Sequence, residues 1–175
     1  MSTLIITMDP GAHKVGLSVG WLEDGKPFFV TTLDVKTNLK GYARAVFVAA
    51  EAAVVLSHEW DKSWRRDITR AVVVVEAMQA DSRTDSNKVK DILDCQATGA
   101  AFASTMMDLA LAMSPRPAPT VLSPTPSEWI KGMPKDVMRR QLMEQWPDVV
   151  TAKTGHDAVS AAGLFRWALP FARFS

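Results

Sequence analysis

Residues 71–75, Ala-Val-Val-Val-Val, form an unbroken apolar run that ends in Glu76. A β-branched run with no polar alternation predicts a strand covered on both faces. A carboxylate directly after it is costly to bury without a partner, which makes Glu76 a candidate functional residue. Residues 4–8 repeat the arrangement: a short apolar, β-branched run is followed at once by Asp9, Pro10 and Gly11. This predicts a second buried strand that ends in a tight turn, again with a charged residue at the strand end.

The rest of the chain falls into an ordered series around these strands. Residues 15–22 and 28–35 predict strands joined through Glu23-Asp24-Gly25-Lys26, whose Asp-Gly pair suits a hairpin, so the chain opens as a three-stranded meander. Residues 39–58 predict a helix in which Tyr42, Ala45, Val46, Ala49, Ala53 and Leu56 recur at helical spacing. Residues 60–70 are polar, and 80–87 form a loop rich in Asp and Ser. A long helix over 88–113 carries two apolar stripes. One holds Val89, Ile92, Leu93, Gln96, Ala100, Ala103 and Met107, and the other Cys95, Gly99, Phe102, Met106 and Leu109. A helix apolar on two sides needs two partners. A proline-rich connection at 114–119, a short strand at 120–122, an irregular loop at 124–134 and helices over 135–146 and 157–171 complete the series. The order predicts an α/β fold: a mixed sheet, part antiparallel meander and part parallel strands, with helices on both faces.

The chain of 175 residues suffices for one complete core but not for two ordinary domains, so residues 1–175 are expected to form a single domain. With 47% apolar and 22% charged residues, disorder and fibrous repeats are excluded. Cys95 is the only cysteine, which fits a reducing compartment and a buried structural thiol. No apolar run reaches the roughly 18 residues of a membrane span, and residues 1–8 lack the basic flank of a signal peptide. A cytoplasmic protein with no membrane partner is expected. The net charge of +1 means that any surface for nucleic acid must be a local basic patch.

Asp9, Glu76 and Asp157, the last at the start of the final apolar helix, are the acids whose placement calls for chemistry. If the first and fourth strands are adjacent and parallel, their ends lie side by side, and a helix packed across them brings Asp157 to the same spot. Three acids so gathered repel one another unless cations neutralise them. Hard oxygen ligands suit Mg²⁺ or Mn²⁺, and two such ions about 3.5 to 4 Å apart can activate water and stabilise a leaving oxygen in phosphodiester cleavage. Each acid taken alone also has an ordinary role: a turn residue for Asp9, a helix-cap or first-turn acid for Asp157.

The opening MDPGAHKVGLSVG resembles the first hairpin of RuvC-type Holliday-junction resolvases, members of the RNase H-like superfamily, with an Asp before Pro-Gly and a later glycine, here Gly16. VVVVEAMQ resembles their fourth strand, KVKDILDCQATGAAFAS the long helix after it, and HDAVSAAGLFRWA their terminal helix. The resemblance covers most of the chain in the right order. It implies Asp9, Glu76 and Asp157 as metal ligands for Mg²⁺, with Mn²⁺ as an alternative. It also puts Lys131 and Lys135 near the scissile phosphate. The family places an Asp or His one helical turn before the last Asp; that position is Thr154 here, and His156 is the nearby side chain that could serve instead.

The resemblance implies a metal-dependent endonuclease acting on branched DNA as a homodimer. An enzyme of the same fold acting on RNA or another DNA intermediate is equally compatible with the motifs. A binding module without a complete metal site is favoured by Thr154 and the near-neutral charge. Trp129, beside Lys131, is a candidate for stacking on an unpaired base, with core packing as its ordinary role. Arg65-Arg66, Lys88, Lys90 and Arg139-Arg140 are candidate phosphate contacts or solvated helix faces, and His13 reads as a turn residue.

Overall fold

In the computed structural model, which describes residues 2–11, 14–63, 68–78, 86–113 and 119–173, strand alternation decides the layers. Along β1 (Ser2–Pro10), Leu4, Ile6 and Met8 enter one apolar cluster, while Ile5 enters another on the opposite side. β2 (Lys14–Glu23) pairs antiparallel with β1, and β3 (Lys26–Lys36) antiparallel with β2. After α1 (Gly41–Ser63), β4 (Ile68–Val75) returns parallel to β1. After α2 (Ser86–Met113), the short β5 (Thr120–Leu122) adds parallel to β4. The five-stranded sheet has the order β3-β2-β1-β4-β5, with the two buried acid-tipped strands at its centre.

Helices α1 and α2 cover the face that carries Leu4, Ile6, Met8, Val73 and Val75, through Val48, Ala49, Ala52, Phe102 and Met106. The other face, with Ile5, Val72 and Val74, is covered by α3 (Pro126–Trp129), α4 (Lys135–Gln145) and α5 (His156–Arg173). The aromatic centre of this second layer is Phe165, stacked on Phe29 at 4.7 Å and met edge-on by Trp146 at 5.7 Å. The structure is thus the mixed sheet with helices on both faces that the pattern predicts. Among the described residues, no helix is long and apolar enough to cross a membrane.

Several local expectations are corrected. The apolar spacing in α1 places Tyr42 and Val46 in the core, yet they are 80% and 47% exposed, and the buried face is Arg44, Ala45, Val48, Ala49 and Ala52. The reason is polar. Arg44 donates to Asp94 on α2 at 3.2 Å and to the Gly11 carbonyl, which turns its own face inward. In α2 the stripe of Cys95, Phe102 and Met106 is buried, whereas Leu93 from the other stripe is 59% exposed. β4 begins at Ile68, inside the segment read as polar, because Thr69 and Arg70, on opposite faces of the strand end, are only partly buried and donate to the Ser2 and Phe171 carbonyls at 3.4 and 3.3 Å. The region read as an irregular loop contains α3, started by Pro126 at its first position and by Glu128, whose carboxylate accepts the Thr125 N–H at 2.7 Å. His13, Arg65, Arg66 and most of the two loops at 80–87 and 114–119 lie outside the described residues.

Candidate active site

The period of two that sorts the core also aims the acids. On β1, Ile5, Thr7 and Asp9 share the α5 side; on β4, Val72, Val74 and Glu76 do the same. The parallel register pairs Met8 with Val75, so its next step sets Asp9 beside Glu76. The Glu76 N–H donates to the Met8 carbonyl at 3.0 Å, and the Ala77 N–H to the Pro124 carbonyl at 2.8 Å, which ties the end of β4 to both neighbours. Both carboxylates are nearly buried, at 7% and 8% exposure.

Asp157 reaches the same place because α5 lies flat on the sheet. Three side chains from the sheet hold its first turns by their backbone. Thr7 Oγ1 donates to the Ala161 carbonyl at 2.7 Å, Thr32 Oγ1 to the Ala158 carbonyl at 2.7 Å, and Asp34 Oδ1 accepts the Ala158 N–H at 2.7 Å. Gly16 makes the close approach possible, since a Cβ there would overlap the Asp157 carbonyl. The Asp157 carboxylate lies against Gly11, at the turn that follows Asp9.

The electrostatics record the crowding. Burial, a side-chain hydrogen bond with Asp9 and the charge of Asp9 push the Glu76 carboxyl up to about 8, opposed by the Trp129 N–H and by Lys135. Burial raises Asp157 too, followed by the charges of Asp9 and Asp34, against Lys135 and Lys14. Glu76 is thus held towards its neutral form beside Asp9, and Asp157 is close enough to feel the Asp9 charge as well. Among the described residues, no group of three or more His, Cys, Asp or Glu side chains is placed so that it could hold a metal ion.

The remaining candidates divide. Lys135, in the first turn of α4, acts on both Glu76 and Asp157. Lys131 sits exposed on the turn after α3 with a positive φ of 49°, and it is not among the charges that act on these acids. His156 is exposed at the first position of α5. The Thr154 hydroxyl accepts the Thr151 N–H at 2.8 Å, closing the turn before α5. Trp129 is 8% exposed, which removes it as an open stacking platform; its indole N–H donates to Glu76 Oε1 at 3.2 Å. Lys88, Lys90 and Arg140 are exposed on their helices, and Arg139 donates to the Ala152 and Thr154 carbonyls at 2.9 and 2.6 Å. Sequence reasoning missed Asp34, Lys14 and Arg44. Asp34 had one available signal: it sits on an edge strand directly across from Gly16.

No family model matches the sequence, and no curated protein matches it. The backbone is similar to RuvC of Thermus thermophilus in complex with a Holliday junction substrate, at 16% identity and a TM-score of 0.62 over 98% of this chain and 96% of that one. A second Thermus thermophilus RuvC structure gives 18% identity and a TM-score of 0.57 over 96% of each chain. The nuclease domain of human cytomegalovirus terminase, soaked with Mn and inhibitor-bound, gives 12% identity and a TM-score of 0.51 over 99% of this chain and 76% of that one. The fold of this chain is therefore RuvC-like, of the RNase H-like type.

Proposed function

We propose that this chain is a divalent-metal-dependent endonuclease of the RuvC type, that residues 1–175 act as one nuclease domain, and that its substrate is branched DNA such as a Holliday junction. The observation that carries the reading is the convergence of Asp9, Glu76 and Asp157 at the ends of two parallel central strands beneath one helix start. The donor set fits a hard divalent cation. All three groups offer carboxylate oxygens, and the burial and Asp9 charge that push the Glu76 carboxyl up are what a bound cation would offset. Asp9, Glu76 and Asp157 would hold Mg²⁺ or Mn²⁺, which supplies an activated water and charge stabilisation for phosphodiester hydrolysis.

The protein's own groups do the rest. Lys135 faces the acids as a fixed positive charge and is placed to receive a phosphate oxygen and orient the substrate. The sheet holds two of the carboxylates on rigid strands, so their separation is set by the hydrogen-bonded register rather than by a loop. A homodimer belongs to this reading, because paired cuts on opposite strands of a four-way junction need two sites related by a two-fold axis. Exposed apolar residues on α1 and α2, Tyr42, Val46 and Leu93, supply a surface for it.

A second reading, a nucleic-acid-binding module with weakened chemistry, draws support from Thr154, whose hydroxyl is engaged in its own turn, and from the unclosed ligand set. One experiment separates the two: the protein is incubated with a labelled four-way junction, duplex, single strand or RNA-DNA hybrid in Mg²⁺, Mn²⁺ or EDTA. The junction is expected to be cut only with metal. Asp9→Asn and Glu76→Gln are each expected to lower the rate by at least roughly 100-fold while junction binding persists. Binding without cutting in either metal supports the module. Wild-type rates in either variant overturn the site.

A further inference from the structure

We propose that Trp129 is a positioning residue for the Glu76 carboxylate: its indole N–H takes one oxygen, Oε1, and so fixes which oxygen Glu76 presents to a bound cation. The inference rests on the metal-dependent reading above and assigns a duty to a side chain outside the ligand set. A glutamate's terminal torsion is broad, and a carboxylate with no donor beside it samples many orientations. An indole N–H only donates and does not titrate, so it holds one oxygen in place at any working pH. The bond is 3.2 Å long, buried, and made across 53 residues of sequence.

The surroundings are arranged to keep that ring where it is. Trp129 is the last residue of α3, a helix of only four residues, fixed at its start by Pro126 and by Glu128, which accepts both the Thr125 N–H at 2.7 Å and the Thr125 hydroxyl at 2.8 Å. The strand end that carries Glu76 is tied to the segment before α3 by the Ala77 to Pro124 hydrogen bond of 2.8 Å. Donor and acceptor are thus registered to each other through the backbone. On the far side of the ring, α5 presents Gly163, where a Cβ would come within 2.7 Å of Trp129 Cζ3. Core packing alone asks for a large apolar side chain here; it does not ask for a donor aimed at a site carboxylate. Partners that orient a metal ligand in this way typically contribute 10- to 100-fold in metal affinity.

The test is calorimetric titration of the wild-type chain, Trp129→Phe and Trp167→Phe with Mn²⁺. Phenylalanine keeps most of the ring's packing and removes the donor, while Trp167, which packs on Phe171, controls for loss of a tryptophan elsewhere. Trp129→Phe is expected to bind Mn²⁺ roughly 10-fold or more weakly, with junction binding in EDTA unchanged, and Trp167→Phe to match the wild type. Wild-type Mn²⁺ affinity in Trp129→Phe, whatever its melting temperature, overturns the proposal. A measurement on the unaltered ring guards against a variant that does not fold. With ¹⁵N-labelled tryptophan, the indole N–H resonance displaced by Glu76→Gln is expected to shift when Mg²⁺ is added to the wild type. If the wild type takes up Mn²⁺ but that resonance stays still, the positioning role fails alone; if the wild type takes up no Mn²⁺, the metal reading fails and takes this inference with it.

Discussion

Glu76 shows how much one side chain can reveal about the state of a site. Its carboxyl is held up to about 8 against an ordinary 4.5, first by burial and then by Asp9. Between those values the folded, metal-free chain keeps a proton that the unfolded chain has released, so stability falls as pH rises across that window and levels off above about 8. The raised Asp157 adds to the fall in the same sense, beginning from its ordinary 3.8. Melting temperatures in EDTA are expected to drop from pH 5 to pH 9, and Glu76→Gln to flatten much of the slope because the amide has no proton to lose. Cation binding requires the charged form, so Mg²⁺ affinity is expected to rise through the same window. A melting curve independent of pH would show that the two carboxyls are not crowded as described.

Helix α5 is held to the sheet by contacts to its backbone, and its position rather than its composition brings Asp157 towards the other two acids. Asp34 on β3 supplies a cap from another element, taking the Ala158 N–H that the helix start leaves unpaired. Asp34→Ala is expected to cost about 1 kcal/mol of stability in chemical denaturation, and Asp34→Asn much less, since an amide oxygen still accepts that N–H. Equal losses in the two would mean that charge, not capping, is what Asp34 contributes. The existence of α5 was legible from its apolar run, and its start from Asp157. Its cap was not, because the cap lies 124 residues away and no local pattern connects the two. The same limit explains α1. Spacing identified the helix, but only the partners of Arg44 on α2 and in the β1 turn decide which face turns inward.

For the whole molecule, the layered architecture could be read from the order of strands and helices, and the pairing of Asp9 with Glu76 from two strands that each end in an acid; the place of Asp157 followed only if those strands were adjacent and parallel, as they are. The surface was harder to read. Gly99, in one of the two apolar stripes of α2, lies against Val75 within the chain, where a Cβ would come to 2.7 Å. Leu93 on α2 and Tyr42 and Val46 on α1 are among the exposed apolar residues, and the dimer proposed above would use them. Light scattering at micromolar concentration is expected to give twice the monomer mass, and Leu93→Asp to shift it towards the monomer; a wild-type monomer both free and on junction DNA would count against paired cutting. The layer formed by α5 has a further consequence, for the making of the protein. This helix packs on β1, β2 and β3, yet its own residues 156–173 follow all of them in the chain and are synthesised later. While a ribosome is still extending the chain, Ile5, Val72 and Val74 have no α5 to cover them, so the nascent sheet is exposed to self-association and chaperone capture. The same delay keeps Asp9 and Glu76 without Asp157 until translation has passed the start of α5.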